Sequence, residues 1–346
     1  MHEAQQTASP MEEISAYARC GLCPRRCRVN RLAGPGFCGE TAELRLASAS
    51  IHRGEEPPIT GVGGSGTVFI TGCTLGCVFC QNRQISRAGM GRAVSTGEFA
   101  DLCLALAKRG AENINLVTGS HAVPALVEGI RLARERGLSV PVLWNSSAYE
   151  NIETLSLLED TVDVYLPDLK TLDGEISGRF FLAPDYPERA EAAILRMLES
   201  RGTLKYGPSV APESSGFSIS SGGVLVSGTV IRHLILPGCL GATREVIRWF
   251  AEHARGRALL SLMTQYTPIK GPAADRGKSP PGRFLNREEY GRVCGWLEEF
   301  GIEEGFCQEL EQNSEWLPDF NRPNPFSSEL SLPVWHWREG SIPGRD

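Results

Sequence analysis

From residue 67 onward the chain alternates short β-branched runs with longer amphipathic stretches, which restricts it to parallel strands joined by helices. Strands are expected at TVFITG (67–72), NINLVTG (113–119), PVLWNSS (141–147), VDVYLPDLK (162–170), VIRHLILPG (230–238) and ALLSLMTQY (258–266). Helices fit between them: in TGEFADLCLALAKRG, Phe99, Leu102 and Leu106 recur at helical spacing. The expected fold class is α/β, a partial (β/α)6 TIM-like barrel. Six β/α units fall short of the eight that close a full barrel, so the cavity should open laterally. The strands end in small or polar residues such as Thr118, Asn145, Asp168 and Pro237, at the end where such folds carry their chemistry.

At 346 residues the chain can build one large domain plus an appendage, with a core that needs no covalent staples. It holds 11 cysteines, and those between Cys20 and Cys80 fall into two tight groups, which points to metal more than to bridges. The polar N-terminus shows no basic segment followed by an apolar core, so a cytoplasmic, reducing location is expected, where thiols stay free. Pro57 to Asn82 is uncharged, but its glycines and prolines break any spanning helix, and no membrane association is expected. A net charge of −6 leaves no broad basic footprint for nucleic acid, although CPRRCRVNR (23–31) is a local basic patch. Cys103 and Cys294 lie in helical patterns and read as packing residues.

CTLGCVFC (73–80) places three thiols directly after the first expected strand. A loop with this spacing turns Cys73, Cys77 and Cys80 toward one point. Structural zinc would want a fourth ligand nearby, whereas a cubane cluster takes three thiolates and leaves one iron open. The first group, Cys20, Cys23, Cys27 and Cys38, supplies four thiolates, enough for one tetrahedral zinc or for a second iron-sulfur cluster.

With Phe79 just before its last cysteine, the Cys-x3-Cys-x2-Cys motif resembles the signature of the radical S-adenosylmethionine (SAM) superfamily. GEEPPITGVGGSGTVFITGCTLGCVFCQN, VDVYLPDLK, VIRHLILPG, SLMTQYTP and the opening CGLCPRRCRVNR resemble its pyruvate formate-lyase activating enzyme-like subgroup. The resemblance implies a [4Fe-4S] cluster on Cys73, Cys77 and Cys80 that chelates S-adenosylmethionine through its open iron. Reductive cleavage then gives a 5′-deoxyadenosyl radical for hydrogen abstraction, with an electron donor such as flavodoxin or ferredoxin as partner. It places cofactor contacts at Thr118, Gly119, Ser120, Asn145, Asp168 and Arg232. The Gly-Gly-Glu stretch of the activases is replaced by VTGSH (117–121), which keeps backbone carbonyls and a hydroxyl but lacks the carboxylate. His121 either lines the site or caps the next helix, Asp168 has Lys170 as an alternative structural partner, and His233 is expected to pack against a helix.

The expected organisation is an N-terminal extension with the four-cysteine metal module over 1–60, the radical SAM partial barrel over 61–302, and a C-terminal extension packed on the barrel over 303–346. GPAADRGKSPPGRFLN (271–286) is a lid or a connection, and Trp316 and Phe320 are apolar anchors of the tail or one wall of the cavity. The nearest named relatives act on a glycine in a partner protein, so a protein or peptide substrate is expected. The alternatives are radical modification of a small molecule or RNA, and a non-catalytic metal-binding scaffold.

Overall fold

The structure, a computed structural model, describes residues 16–209, 223–269, 281–310, 312–314 and 316–343. The sheet opens with a strand that the sequence did not announce, β1 (Arg45–His52), followed by the six expected ones. These are β2 (Ser65–Ile70), β3 (Ile114–Val117), β4 (Val142–Ser146), β5 (Val164–Pro167), β6 (Val224–Leu234) and β7 (Leu259–Met263). Two more complete it, β8 (Gly305–Cys307) and β9 (Ser331–His336), with short strands at Arg92–Ala93, Lys205–Gly207 and Gly340–Ser341.

From β2 to β8 every neighbouring pair is parallel, in chain order, whereas β1 runs antiparallel to both β2 and β9. Among the described residues the edges do not pair with each other, so the sheet stays open as a partial barrel. Arg45–His52 falls inside the span read as the N-terminal extension, yet it is part of this sheet.

Helices α1 (Thr96–Lys108), α2 (Val123–Glu135), α3 (Tyr186–Arg201), α4 (Leu240–His253) and α5 (Arg287–Glu299) cover the sheet. The first and last begin with reciprocal capping boxes, Ser95 with Glu98 and Asn286 with Glu289, each satisfying two otherwise orphaned backbone donors. Strand alternation sorts the side chains. On β3 and β4, Ile114, Leu116, Val142 and Trp144 join the core beneath Phe99, Leu126 and Ile130 of α1 and α2. The opposite face gathers Leu143, Val164, Leu166, Val230 and Leu259 around Ile59, from the short helix Pro57–Thr60. Burying each such side chain contributes roughly 1.5–3 kcal/mol.

The C-terminal segment crosses from β7 toward β2 and β1. Gln308 N donates to Leu262 O (2.9 Å), Thr267 Oγ1 to Asn313 O (3.2 Å), Phe320 N to Gln84 Oε1 (2.7 Å) and Arg53 N to Leu330 O (2.8 Å). Phe320, fully buried, meets Phe69 of β2 edge-on with ring centroids 5.4 Å apart, and Trp316 packs on Gly54. The described part of this tail therefore lies over the side of the barrel that six units would leave open. Of the Gly/Pro-rich stretch 271–286, residues 271–280 lie outside the described residues. Among the described residues no helix is long and apolar enough to cross a membrane.

Candidate metal centre and cofactor site

The loop after β2 carries Cys73, Cys77 and Cys80, all free and all partly exposed at the mouth. Its path is fixed from two sides. Gly76 N and Val78 N donate to Phe181 O (3.0 Å) and Phe180 O (2.9 Å), and Phe79 packs edge-on against Phe180, Phe181 and Tyr266. On the other side Cys73 N donates to Cys38 O (3.2 Å), which ties the loop to the N-terminal module. Gly72 makes that approach possible. Its φ is +78°, and an added Cβ would stand 2.4 Å from Glu40 Cγ and 2.9 Å from Cys38 O.

Burial and neighbouring charge act on Cys73 and Cys77. Burial pushes Cys73 up to about 11, with Cys80 adding to the rise. Burial also drives Cys77 well above the ordinary thiol value, and Cys80 and Cys73 add to this while Lys170 and Arg87 oppose it. Those two cations are the charges that favour thiolates here. Leu75 N lies 3.4 Å from Cys73 Sγ, and Ser86 Oγ lies 3.4 Å from Cys80 Sγ. Among the described residues no group of three His, Cys, Asp or Glu closes into the arrangement of one bound ion. Three free thiols on one loop are the number that a cubane cluster takes when one iron is left open.

Around the mouth the expected contacts divide. Thr118 follows β3 at φ +63°, and Gly119 cannot carry a side chain because a Cβ would stand 2.6 Å from Leu126 and from Trp144. Asn145 lies one strand over, partly exposed, and Thr118 N donates to its carbonyl (2.8 Å). Asp168 pairs with Lys170 at 2.7 Å, the structural partner the sequence allowed for. Burial opposes the Lys170 charge, but Asp168 and Cys77 outweigh it and hold the ammonium above its usual range. Tyr186 OH joins this group, 2.6 Å from Asp168 O and 2.9 Å from Lys170 N.

Ser120 and Arg232 have protein partners of their own. Ser120 is buried and donates to Glu150 Oε1 (2.7 Å). Arg232 is buried in the barrel interior, with Nε 2.9 Å from Glu56 Oε1 and Nη2 2.6 Å from Glu55 Oε2. Asn115 Nδ2 on β3 reaches the same Glu55 (2.9 Å), so the pair Glu55 and Glu56 staples β3 to β6 across the interior. His121 neither lines the mouth nor caps a helix: its ring is buried, 3.1 Å from the Cβ position of Gly72, and Ala122 caps α2. His233 packs as expected, with Nδ1 at 2.7 Å from Leu169 O and Nε2 at 3.0 Å from Thr243 Oγ1 on α4. Sequence reasoning missed the roles of Glu55, Glu56 and Tyr186. GEEPP offered a signal for the first two, as adjacent acids before an apolar helix need a cation.

The fold and the site together define a half-open α/β barrel that presents three free thiols at one mouth. Residues 67–210 match the model of the Radical SAM superfamily. An uncharacterized protein of Methanocaldococcus jannaschii is 27% identical over 259 residues, 73% of this chain and 67% of that protein. Among solved structures the chain is similar to Streptococcus suis SuiB bound to precursor peptide SuiA, with 12% identity, TM-score 0.45, and coverage of 68% of this chain and 46% of that one. It is likewise similar to the FeFe-hydrogenase maturase HydG from Carboxydothermus hydrogenoformans, with 13% identity, TM-score 0.45, and coverage of 68% and 50%. The chain thus spans about half the length of these two proteins.

Proposed function

We propose that this chain cleaves S-adenosylmethionine reductively and uses the product radical to take a hydrogen atom from a protein or peptide, in the manner of a glycyl-radical activase. The observation that carries this reading is the three free thiols on one loop at the barrel mouth, inside the segment that matches the Radical SAM superfamily model. When bound, a [4Fe-4S] cluster would supply the single electron that breaks the sulfonium bond. Cys73, Cys77 and Cys80 would hold it, and Lys170 and Arg87 would favour their thiolate forms. Thr118 and Gly119 offer backbone at the same mouth, Asn145 an amide, and Asp168 a carboxylate already held by Lys170. The four thiols of Cys20, Cys23, Cys27 and Cys38 would hold a second metal group.

The substrate reading rests on the open sheet, whose edges do not pair among the described residues. A glycine Cα hydrogen suits such chemistry, because flanking amides stabilise the radical and no side chain blocks approach. A small-molecule substrate is the second reading, favoured by the tail that lies over the barrel side with Phe320 buried against Phe69. Two experiments test the proposal. Adding S-adenosylmethionine to the reduced, fully iron-loaded protein should shift its paramagnetic resonance, and an unchanged spectrum would rule out chelation at the triplet. Deuterated candidate substrates should pass label into 5′-deoxyadenosine, and label arriving only from a small metabolite would overturn the protein-substrate reading.

A further inference from the structure

The N-terminal module is unlike the rest of the chain. Among its described residues, 16–44 contain five arginines against two glutamates, in a protein of net charge −6. Residues 20–44 form no helix and, up to Leu44, no strand, only turns. Its four cysteines are free. Two of them approach each other, Cys27 Sγ and Cys38 Sγ standing 3.3 and 3.6 Å from one point, the Cβ position of Gly36, and Arg31 Nη1 lies 3.8 Å from Cys20 Sγ. Arg31 is itself buried and donates to the carbonyls of Glu40 (3.0 Å) and His121 (2.6 Å), which anchors the module beneath the barrel mouth. A turn-only segment with so little apolar core is the kind that a metal group holds in shape.

The module touches the triplet loop directly. Cys38 O accepts from Cys73 N at 3.2 Å, so a ligand of each group shares one hydrogen bond. Arg25 reinforces the contact by donating to Thr74 O (2.9 Å).

Its outer surface is equally distinctive. Of the eight exposed large hydrophobic residues among those described, Val29, Leu32 and Phe37 all lie here. Phe37 is 40% exposed although the guanidiniums of Arg25 and Arg87 lie 4.0 and 4.9 Å from its ring centre. Arg26 and Arg28 flank Cys27 and are exposed. An exposed aromatic framed by arginines is the composition of a protein-binding hot spot, and its charge fits an acidic partner.

We propose that Cys20, Cys23, Cys27 and Cys38 hold a second iron-sulfur cluster that serves as the electron entry port, docking an acidic one-electron carrier protein on the face around Phe37, Arg26 and Arg28. The inference rests on the radical reading above. One electron leaves the reduced carrier, reduces the module's cluster and passes on to the group at the triplet; no bond forms or breaks on the way.

The test uses the anaerobically reconstituted full chain. The variant with Cys73→Ala, Cys77→Ala and Cys80→Ala should keep iron, sulfide and the paramagnetic signal of one cluster. Zinc at one equivalent instead, or no metal, overturns the port. Reduced flavodoxin is the docking probe. Arg26→Glu with Arg28→Glu should weaken its binding about tenfold at low salt, with the difference shrinking as salt rises. The ratio of flavodoxin-driven to dithionite-driven S-adenosylmethionine cleavage should fall similarly. Unchanged flavodoxin binding and ratio overturn the port while leaving the radical reading intact, and no cleavage with either reductant overturns that reading itself. Tight binding of an RNA homopolymer that the double variant abolishes, without flavodoxin binding, would assign the face to nucleic acid and overturn the proposal.

Discussion

Replacing Arg232 by methionine should be among the most damaging single changes in the barrel, through stability rather than through cofactor affinity. Arg232, Glu55 and Glu56 have side chains only 6%, 12% and 7% exposed, so methionine keeps most of the volume but leaves two buried carboxylates without their cation. Breaking a buried pair from one side costs about 3–5 kcal/mol. The pH dependence follows from Glu56. Burial alone would raise its carboxyl, but the charge and hydrogen bonds of Arg232, with help from Ser261, overcome this and hold it below the usual value of 4.5. A depressed carboxyl stabilises the fold above its unfolded value, and that contribution is lost as pH falls through the folded value. In Arg232→Met the stranded Glu56 gains by protonation, so the gap between wild type and variant should narrow as pH falls from 7 toward 4.5. Denaturant unfolding across that range reads both effects. Adding Glu55→Gln and Glu56→Gln should recover much of the loss, because neutral amides remove the stranded charges. A variant within about 0.5 kcal/mol of wild type, the ordinary range of a surface substitution, would refute the interior staple. So would a triple variant no better than the single one.

Gly72→Ala should cost roughly 1–2 kcal/mol from its left-handed backbone alone and push the triplet loop off Glu40 and Cys38, read as lower iron occupancy after reconstitution. Gly119→Ala should destabilise by about 1–3 kcal/mol through overpacking against Trp144 and Leu126, seen in the unfolding midpoint. Phe320→Ala should cost about 3–5 kcal/mol and expose the barrel side, measurable as faster hydrogen exchange in β2 and β1.

The sequence carried the six parallel strands because their β-branched runs are buried on both faces and leave no polar alternation to confuse them. RLASASIH (β1) was invisible for the opposite reason. Its alanines and serines have no strand signature, yet Ala47 to Ser50 are all almost completely buried between β2 and β9. The three-residue β8 is too short for any pattern. At the site, the triplet was legible because its cysteines are close in sequence, while the ion pair of Arg232 was not, since its partner Glu56 lies 176 positions away and only tertiary structure joins them. The Ser120 hydroxyl likewise has a partner the sequence did not announce, Glu150. The parity of β6 did separate Arg232, facing inward, from His233, which packs under α4.

The central claim, that Cys73, Cys77 and Cys80 serve the reductive cleavage of S-adenosylmethionine, is tested most directly by product analysis. The reconstituted protein, incubated with S-adenosylmethionine and dithionite without oxygen, should release 5′-deoxyadenosine and methionine. Cys77→Ala, with its N-terminal cysteines intact, should release neither above background. Fully iron-loaded protein that forms no 5′-deoxyadenosine, or a Cys77→Ala variant that forms as much as wild type, would contradict the account.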